Sequence, residues 1–272
     1  MLSVLPKIYA KGSCMITLIQ NVLTFFLIVF PHYFMLFPFA NIFSSYVAKL
    51  FGDREPERQG FLSLRIRNHL IPEILALFTL IMSLVNALLR GSGAVSIGRF
   101  AAMTIASSML LAPQINSKNY SRPLHAIITI FARTGSKFLY SFILIVIMQT
   151  IPIDLNLIQV SGTWQSGLWV FLDYGTVFAI YFALLDLLPF PSSASGKVLE
   201  ILMTDEQKES FDWYFEHGDM VLFLLIMMPG LNNIYFAWMH KKAFAIKYFL
   251  NVLIAGALKI IDPIFASISL FS

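Results

Sequence analysis

Long apolar runs separated by short polar segments dominate the chain, and the length of those runs predicts membrane-spanning helices. A helix needs about 20 mostly apolar residues to cross a hydrocarbon layer of about 30 Å. Runs at residues 16–39, 70–89, 124–148, 167–188, 220–238 and 246–265 meet that requirement or approach it. They are continuous rather than alternating, which excludes a transmembrane barrel and leaves the helix as the structure that satisfies its own backbone in lipid. Pro31 and Pro38 interrupt the first run, and each lacks an amide donor, so a kinked or broken entry helix is expected. Residues 94–111, shorter and rich in small side chains, read as a re-entrant segment or a tightly packed short helix. The expected fold class is an all-α membrane protein with roughly five or six transmembrane helices, organised as one integral membrane domain over residues 1–272.

The polar segments set the connections. Residues 49–69 hold Lys49, Asp53, Arg54, Glu55, Glu57, Arg58, Arg65 and Arg67 and read as a surface loop. Inside it, residues 61–67 alternate apolar and polar side chains, which predicts a short β-strand after the first helix. Arg90-Gly91-Ser92-Gly93 is a helix stop, residues 112–120 form a polar loop, and residues 197–216 read as a charged amphipathic helix outside the bilayer. Cations at residues 49–67 and at Lys118 and Arg122 favour the cytoplasmic side, whereas residues 151–164 carry Asp154 and no cation. Lys241, Lys242 and Lys247 conflict with that rule on a simple helix count, so the C-terminal topology stays open. Lys7 and Lys11 precede the first run without a small-residue cleavage pattern, which predicts a retained span rather than a signal peptide.

Composition narrows the class further. With 58% hydrophobic and 12% charged residues among 272, there is too little polar surface to coat a water-soluble globule. The mean hydropathy of +0.75 agrees. The net charge of +4 is scattered around the ends of apolar runs, so nucleic acid is not expected as a partner, and the lipid bilayer is. A single cysteine, Cys14, excludes an internal disulfide.

Several motifs fall in a meaningful order. Leu50-Phe51-Gly52-Asp53 is followed by Arg58-Gln59-Gly60, Leu62-Ser63-Leu64, His69 and Pro72. Pro113, Asn116, Asn119 and Tyr120 come next, then Ala132 to Lys137, then Asp186-Leu187-Leu188-Pro189-Phe190-Pro191 with Gly196, Val198 and Leu199. In order and spacing these resemble the site-2 protease family of intramembrane zinc metalloproteases, in its compact branch without a PDZ domain. The likeness spans residues 25–225 within a site-2-protease-like core at residues 16–240. It implies a helical core with a strand and groove at its entrance, in an integral membrane protein expected in the bacterial inner membrane.

The resemblance also says where a metal centre would stand. Such enzymes hold zinc through two histidines one helical turn apart and a later aspartate, leaving the fourth position for a water that a glutamate activates. The histidine positions correspond to Ala40 and Ser44, the glutamate to Asn41 and the aspartate to Ala194, with Ser195 in place of the following glycine. None of these can rebuild the site, so zinc, the family's cofactor, is expected to be lost. The five histidines, His32, His69, His125, His217 and His240, show no metal-ligand spacing.

The expected function is therefore a catalytically inactive pseudoprotease that binds or scaffolds membrane protein partners or clients, by strand addition at residues 61–67. His69, Asp173, Asp186, Pro189, Pro191 and Gly196 are the groove or partner-binding candidates. Bland readings stand beside them: His32 as a satisfied core histidine, Asp173 as a packed interior carboxylate and Asp186 as a cap at the membrane edge. Arg133 and Lys137, four apart on one helical face, would snorkel or pair with Asp173, and Ser192, Ser193 and Ser195 fit turn chemistry. Two rival functions remain. One is a divergent metalloprotease using His32, His69 and Asp173, and the other a small carrier or channel lined by Asp173, Asp186, Arg133 and Lys137.

Overall fold

The computed structural model describes residue 27 and residues 30–69, 113–151, 164–227 and 231–269. The expected spans at 70–89 and 94–111, and the N-terminal part of the first run, lie outside the described residues. What is described is helical, with no strand: α1 (Phe30–Leu50), α2 (Glu55–Arg58), α3 (Pro123–Thr150), α4 (Trp164–Asp186), α5 (Ala194–Leu202), α6 (Asp205–Ser210), α7 (Asp212–Met227) and α8 (Leu231–Ser269). Two of these, at Pro123–Thr150 and Gln165–Asp186, are long and apolar enough to cross a membrane.

Helices α3 and α4 pair along their lengths, α1 packs against α3, and α8 lies mainly along α4. The core between them is aromatic and aliphatic, built from Tyr33, Leu36 and Phe37 of α1, Tyr140 and Leu144 of α3, and Phe178 and Phe182 of α4. Phe37 and Phe182 meet edge to face at 4.9 Å between ring centroids, the favoured geometry for aromatic quadrupoles.

The buried face of α3 mixes Ile130, Tyr140, Leu144, Ile145 and Met148 with Thr129, Thr134, Ser136, Lys137 and Ser141, while Leu124, Ile128, Leu139, Phe142 and Ile143 are exposed. A lysine buried in this way needs compensation.

Several expectations need correction. Helix α1 runs unbroken through Pro38, which is buried within it, so the lost amide bond does not end the helix. It also continues well past the apolar run to Leu50, where Gly52 at φ +101° terminates it. The Gly52 amide bonds the Lys49 carbonyl at 3.1 Å and the Asp53 amide bonds the Ala48 carbonyl at 3.0 Å, the two bonds of a Schellman stop.

The strand expected at residues 61–67 is absent. That segment is turn and 3-10 structure, with Ile66–Asn68 forming the 3-10 turn. Local side chains capture the backbone groups a ladder would need. Ser63 Oγ donates to the Gly60 carbonyl at 2.7 Å, and Asn68 Nδ2 donates to the same carbonyl at 2.9 Å. His69 Nε2 donates to the Ser63 carbonyl at 2.7 Å. Side chains that bond nearby backbone compete with sheet pairing in this way.

The amphipathic helix expected at 197–216 is three pieces. The break before α6 is a capping box, in which Thr204 and Gln207 satisfy each other's amides. The last two apolar runs are also divided differently. Helix α8 passes continuously through Lys241 and Lys242, both exposed, so these lysines lie within a helix rather than in a loop.

Candidate functional site

The two N-terminal polar motifs meet at Asp53. The Schellman stop turns this residue inward, and its carboxylate is wholly buried. Its Oδ1 accepts from the Glu55 amide at 3.0 Å and from Asn119 Nδ2 at 2.8 Å, and its Oδ2 accepts from the Asn116 amide at 3.2 Å. Gln59 Oε1 adds a bond from the Gln114 amide at 3.1 Å. Loops 52–60 and 113–120 are thus one polar unit. Burial raises the pKa of the Tyr120 hydroxyl well above its ordinary value, and the Asp53 charge adds to the effect.

The Pro189-Phe190-Pro191 turn is a second such unit. Ser193 caps α5 by accepting from the Gly196 amide at 3.0 Å, and its hydroxyl also meets the Phe190 carbonyl at 2.8 Å. Gly196 sits so close to that carbonyl that a Cβ would lie 1.7 Å from the oxygen, so no larger residue fits without moving the turn. Tyr214 donates to the Pro189 carbonyl, and Ser192 Oγ donates to Asp219 at 2.8 Å, tying the turn to α7. Pro189, Pro191 and Gly196 are therefore parts of a packed turn. The three serines have the turn roles expected of them, with Ser195 Oγ donating to the Leu187 carbonyl at 2.9 Å.

Beside this turn is a narrow pocket at the carboxyl end of α4. Pro113, Ile115, Arg133, Asp186, Ala194 and Lys197 line it. Asp186 is bonded by Lys137 Nζ at 2.5 Å and by Thr134 Oγ1 at 3.3 Å, with the lysine almost wholly buried. Lys137 therefore neither snorkels nor pairs with Asp173. Asp173 pairs instead with Lys247 of α8. Burial draws the Lys197 ammonium down to about 8, and the nearby Arg133 charge adds to the shift.

The other singled-out residues are separately engaged. His32 Nε2 donates to the Phe171 carbonyl at 2.8 Å, its Nδ1 faces the Tyr140 hydroxyl at 3.0 Å, and its ring stacks on Phe171. Gly175 touches the same imidazole, and a Cβ there would be 2.1 Å from His32 Cε1. His69 is buried in the 52–69 loop, and burial lowers its proton affinity. Among the described residues no three His, Cys, Asp or Glu side chains converge on a metal-sized space, His32, His69 and Asp173 included.

The implied zinc centre fails a direct test of fit. Ala40 is buried and has no donor, and the Ser44 hydroxyl donates to the Asn41 carbonyl at 3.1 Å. Ala194 lines the pocket beside Asp186, whereas none of Ala40, Asn41 and Ser44 does. Sequence reasoning missed Lys197 and Lys247. A signal for Lys247 existed: His240, Lys247 and Asn251 are spaced 7 and 4 residues apart on one face of an apolar helix. Each meets a partner there, Tyr181, Asp173 and Gln149 respectively.

No family model matches the chain, and neither the curated proteins nor the solved structures include a match.

Proposed function

We propose that this chain is a polytopic membrane protein on a site-2-protease-like scaffold that has lost its zinc centre and holds membrane protein partners or clients without cutting them. One observation carries the reading. The three ligand positions are replaced by Ala40, Ser44 and Ala194 and the general-base position by Asn41, while the flanking Gly52-Asp53, Asn116, Asn119 and Pro189-Phe190-Pro191 elements are kept. The tie between Asp53 and the two asparagines supports it, because it gives the spaced motifs a shared structural purpose. The exposed Leu124, Ile128, Leu139, Phe142 and Ile143 of α3 support membrane insertion, since lipid covers such side chains without penalty. The topology that goes with this reading has roughly five or six spans in the bacterial inner membrane. A partner is held through helix faces and the polar loops, because residues 61–67 offer no strand edge.

The test is metal analysis of protein purified in mild detergent, together with an assay for cleavage of a membrane substrate. Zinc far below one atom per chain, no cleavage and a stoichiometric membrane protein partner are expected. Stoichiometric zinc with chelator-sensitive cleavage would overturn the proposal. Accessibility of cysteines introduced one at a time into Cys14→Ser protein maps the spans independently.

A further inference from the structure

Helix α8 lies against the bundle along a narrow seam, and the contacts on that seam fix its level. His240 Nδ1 faces the Tyr181 hydroxyl at 3.0 Å, and Lys247 pairs with Asp173. Tyr181 and Asp173 stand five and thirteen residues before Asp186, the carboxyl end of α4. That is about 8 and 20 Å along a helix about 34 Å long. Lys241 and Lys242 fall between those two levels, so they sit within the apolar length of α4 and not beyond its end. Both are exposed, and among the described residues neither has a hydrogen bond or an ion pair. At about 100° per residue they straddle the side of α8 turned away from Lys247, in line with Trp238, Ala245, Phe249 and Val252, all exposed. Steps of three, four and seven residues from Trp238 make this a continuous helix-packing stripe.

We propose that this outward face of α8 docks a transmembrane helix of a different membrane protein, one that carries an Asp or Glu within its span to meet Lys241 and Lys242. Charge at hydrocarbon depth is costly, and cations found there pair with an opposite charge. The carboxylates of α4 do not supply it, because Lys247 holds Asp173 and Lys137 holds Asp186. A second copy fits poorly: two-fold pairing on this face sets lysine against lysine, and its own α4 carboxylates are engaged in the same way. Trp238, Phe249 and Val252 add packing area, and the small Ala245 lets a partner backbone come close. This partner chemistry deepens the client-holding reading above and rests on it; it requires membrane insertion but not the loss of zinc.

The test reconstitutes the full chain, carrying a donor fluorophore at its N-terminus, in phosphatidylcholine vesicles. Energy transfer is measured to acceptor-labelled spanning Leu-Ala peptides with one central Glu, Gln or Leu. The Glu peptide should bind about tenfold more tightly than the Gln peptide. That preference should vanish in the double variant Lys241→Gln, Lys242→Gln and persist in Lys241→Arg, Lys242→Arg and in the distal Lys208→Gln. The variants that keep the charge separate loss of the site from failure to fold.

Equal binding of the Glu and Gln peptides, or a preference that survives in the folded double Gln variant, overturns the proposal. Lysine-dependent energy transfer between two labelled copies assigns the face to self-association and overturns it too. So does lysine-dependent enrichment of phosphatidylglycerol with no preference among peptides, because the lysines then reach headgroups instead of a partner. A chain that alkaline carbonate strips from membranes refutes the membrane reading itself; run on carbonate-resistant protein, the peptide comparison tests the α8 face alone.

Discussion

Replacing Asp53 tests whether the two polar loops form one structural unit. The buried carboxylate accepts three bonds, from Glu55, Asn116 and Asn119, at 3.0, 3.2 and 2.8 Å. A hydrogen bond to a charged acceptor contributes about 1.5–3 kcal/mol, and donors left unsatisfied in a buried site cost about 1–3 kcal/mol each. These are not additive, and water can reach the Asn116 side of the loop, so Asp53→Ala should destabilise by about 3–5 kcal/mol. Asp53→Asn keeps the shape but turns an amide donor toward existing donors, and should cost about half as much. The assay is reversible denaturation in mild detergent, read as a double-mutant cycle with Asn119→Ala. A coupling of about 1–2 kcal/mol is expected between the two, whereas distant independent sites add to within about 0.5 kcal/mol. Additivity of Asp53→Ala and Asn119→Ala would refute the claim that this carboxylate joins the loops.

Three further predictions follow from contacts inside the bundle. Gly175→Ala forces a Cβ against the His32 ring, which Tyr140 and Phe171 hold in place, so a loss of about 1–3 kcal/mol is expected; His32→Ala should rescue part of it in a melting experiment. Lys137→Met strands the buried Asp186 carboxylate and should cost about 3–5 kcal/mol, while the double variant Lys137→Met, Asp186→Leu recovers most of that stability in the same assay. Lys197 sets a pH dependence. Folded, it gives up its proton at about 8, against an ordinary 10.5, so between those values the unfolded chain holds more protons and stability rises with pH. Melting temperatures measured across that window should climb in the parent protein and stay flat for this group in Lys197→Met.

The sequence was informative where one chemical property decides the outcome. Length and unbroken hydropathy were enough to locate α3 and α4 to within a few residues, because a helix that closes its own hydrogen bonds needs no neighbour to define it. Gly52-Asp53 and Gly196 were conspicuous as residues, since a left-handed stop and a close backbone approach both select glycine.

Tertiary structure decided the rest. Period-two alternation at residues 61–67 promised a strand, but Ser63, Asn68 and His69 found partners within the loop and removed the reason for one. Nothing in the spacing could say that Lys137 pairs with Asp186 and Lys247 with Asp173, because an ion pair depends on which faces of distant helices meet. The same holds for the inward face of α3. The apolar residues of α3 fall on both its exposed and its buried sides, so its hydropathy carries length without direction, and only the packing of α1 and α4 against it turns Thr134, Lys137 and Ser141 inside.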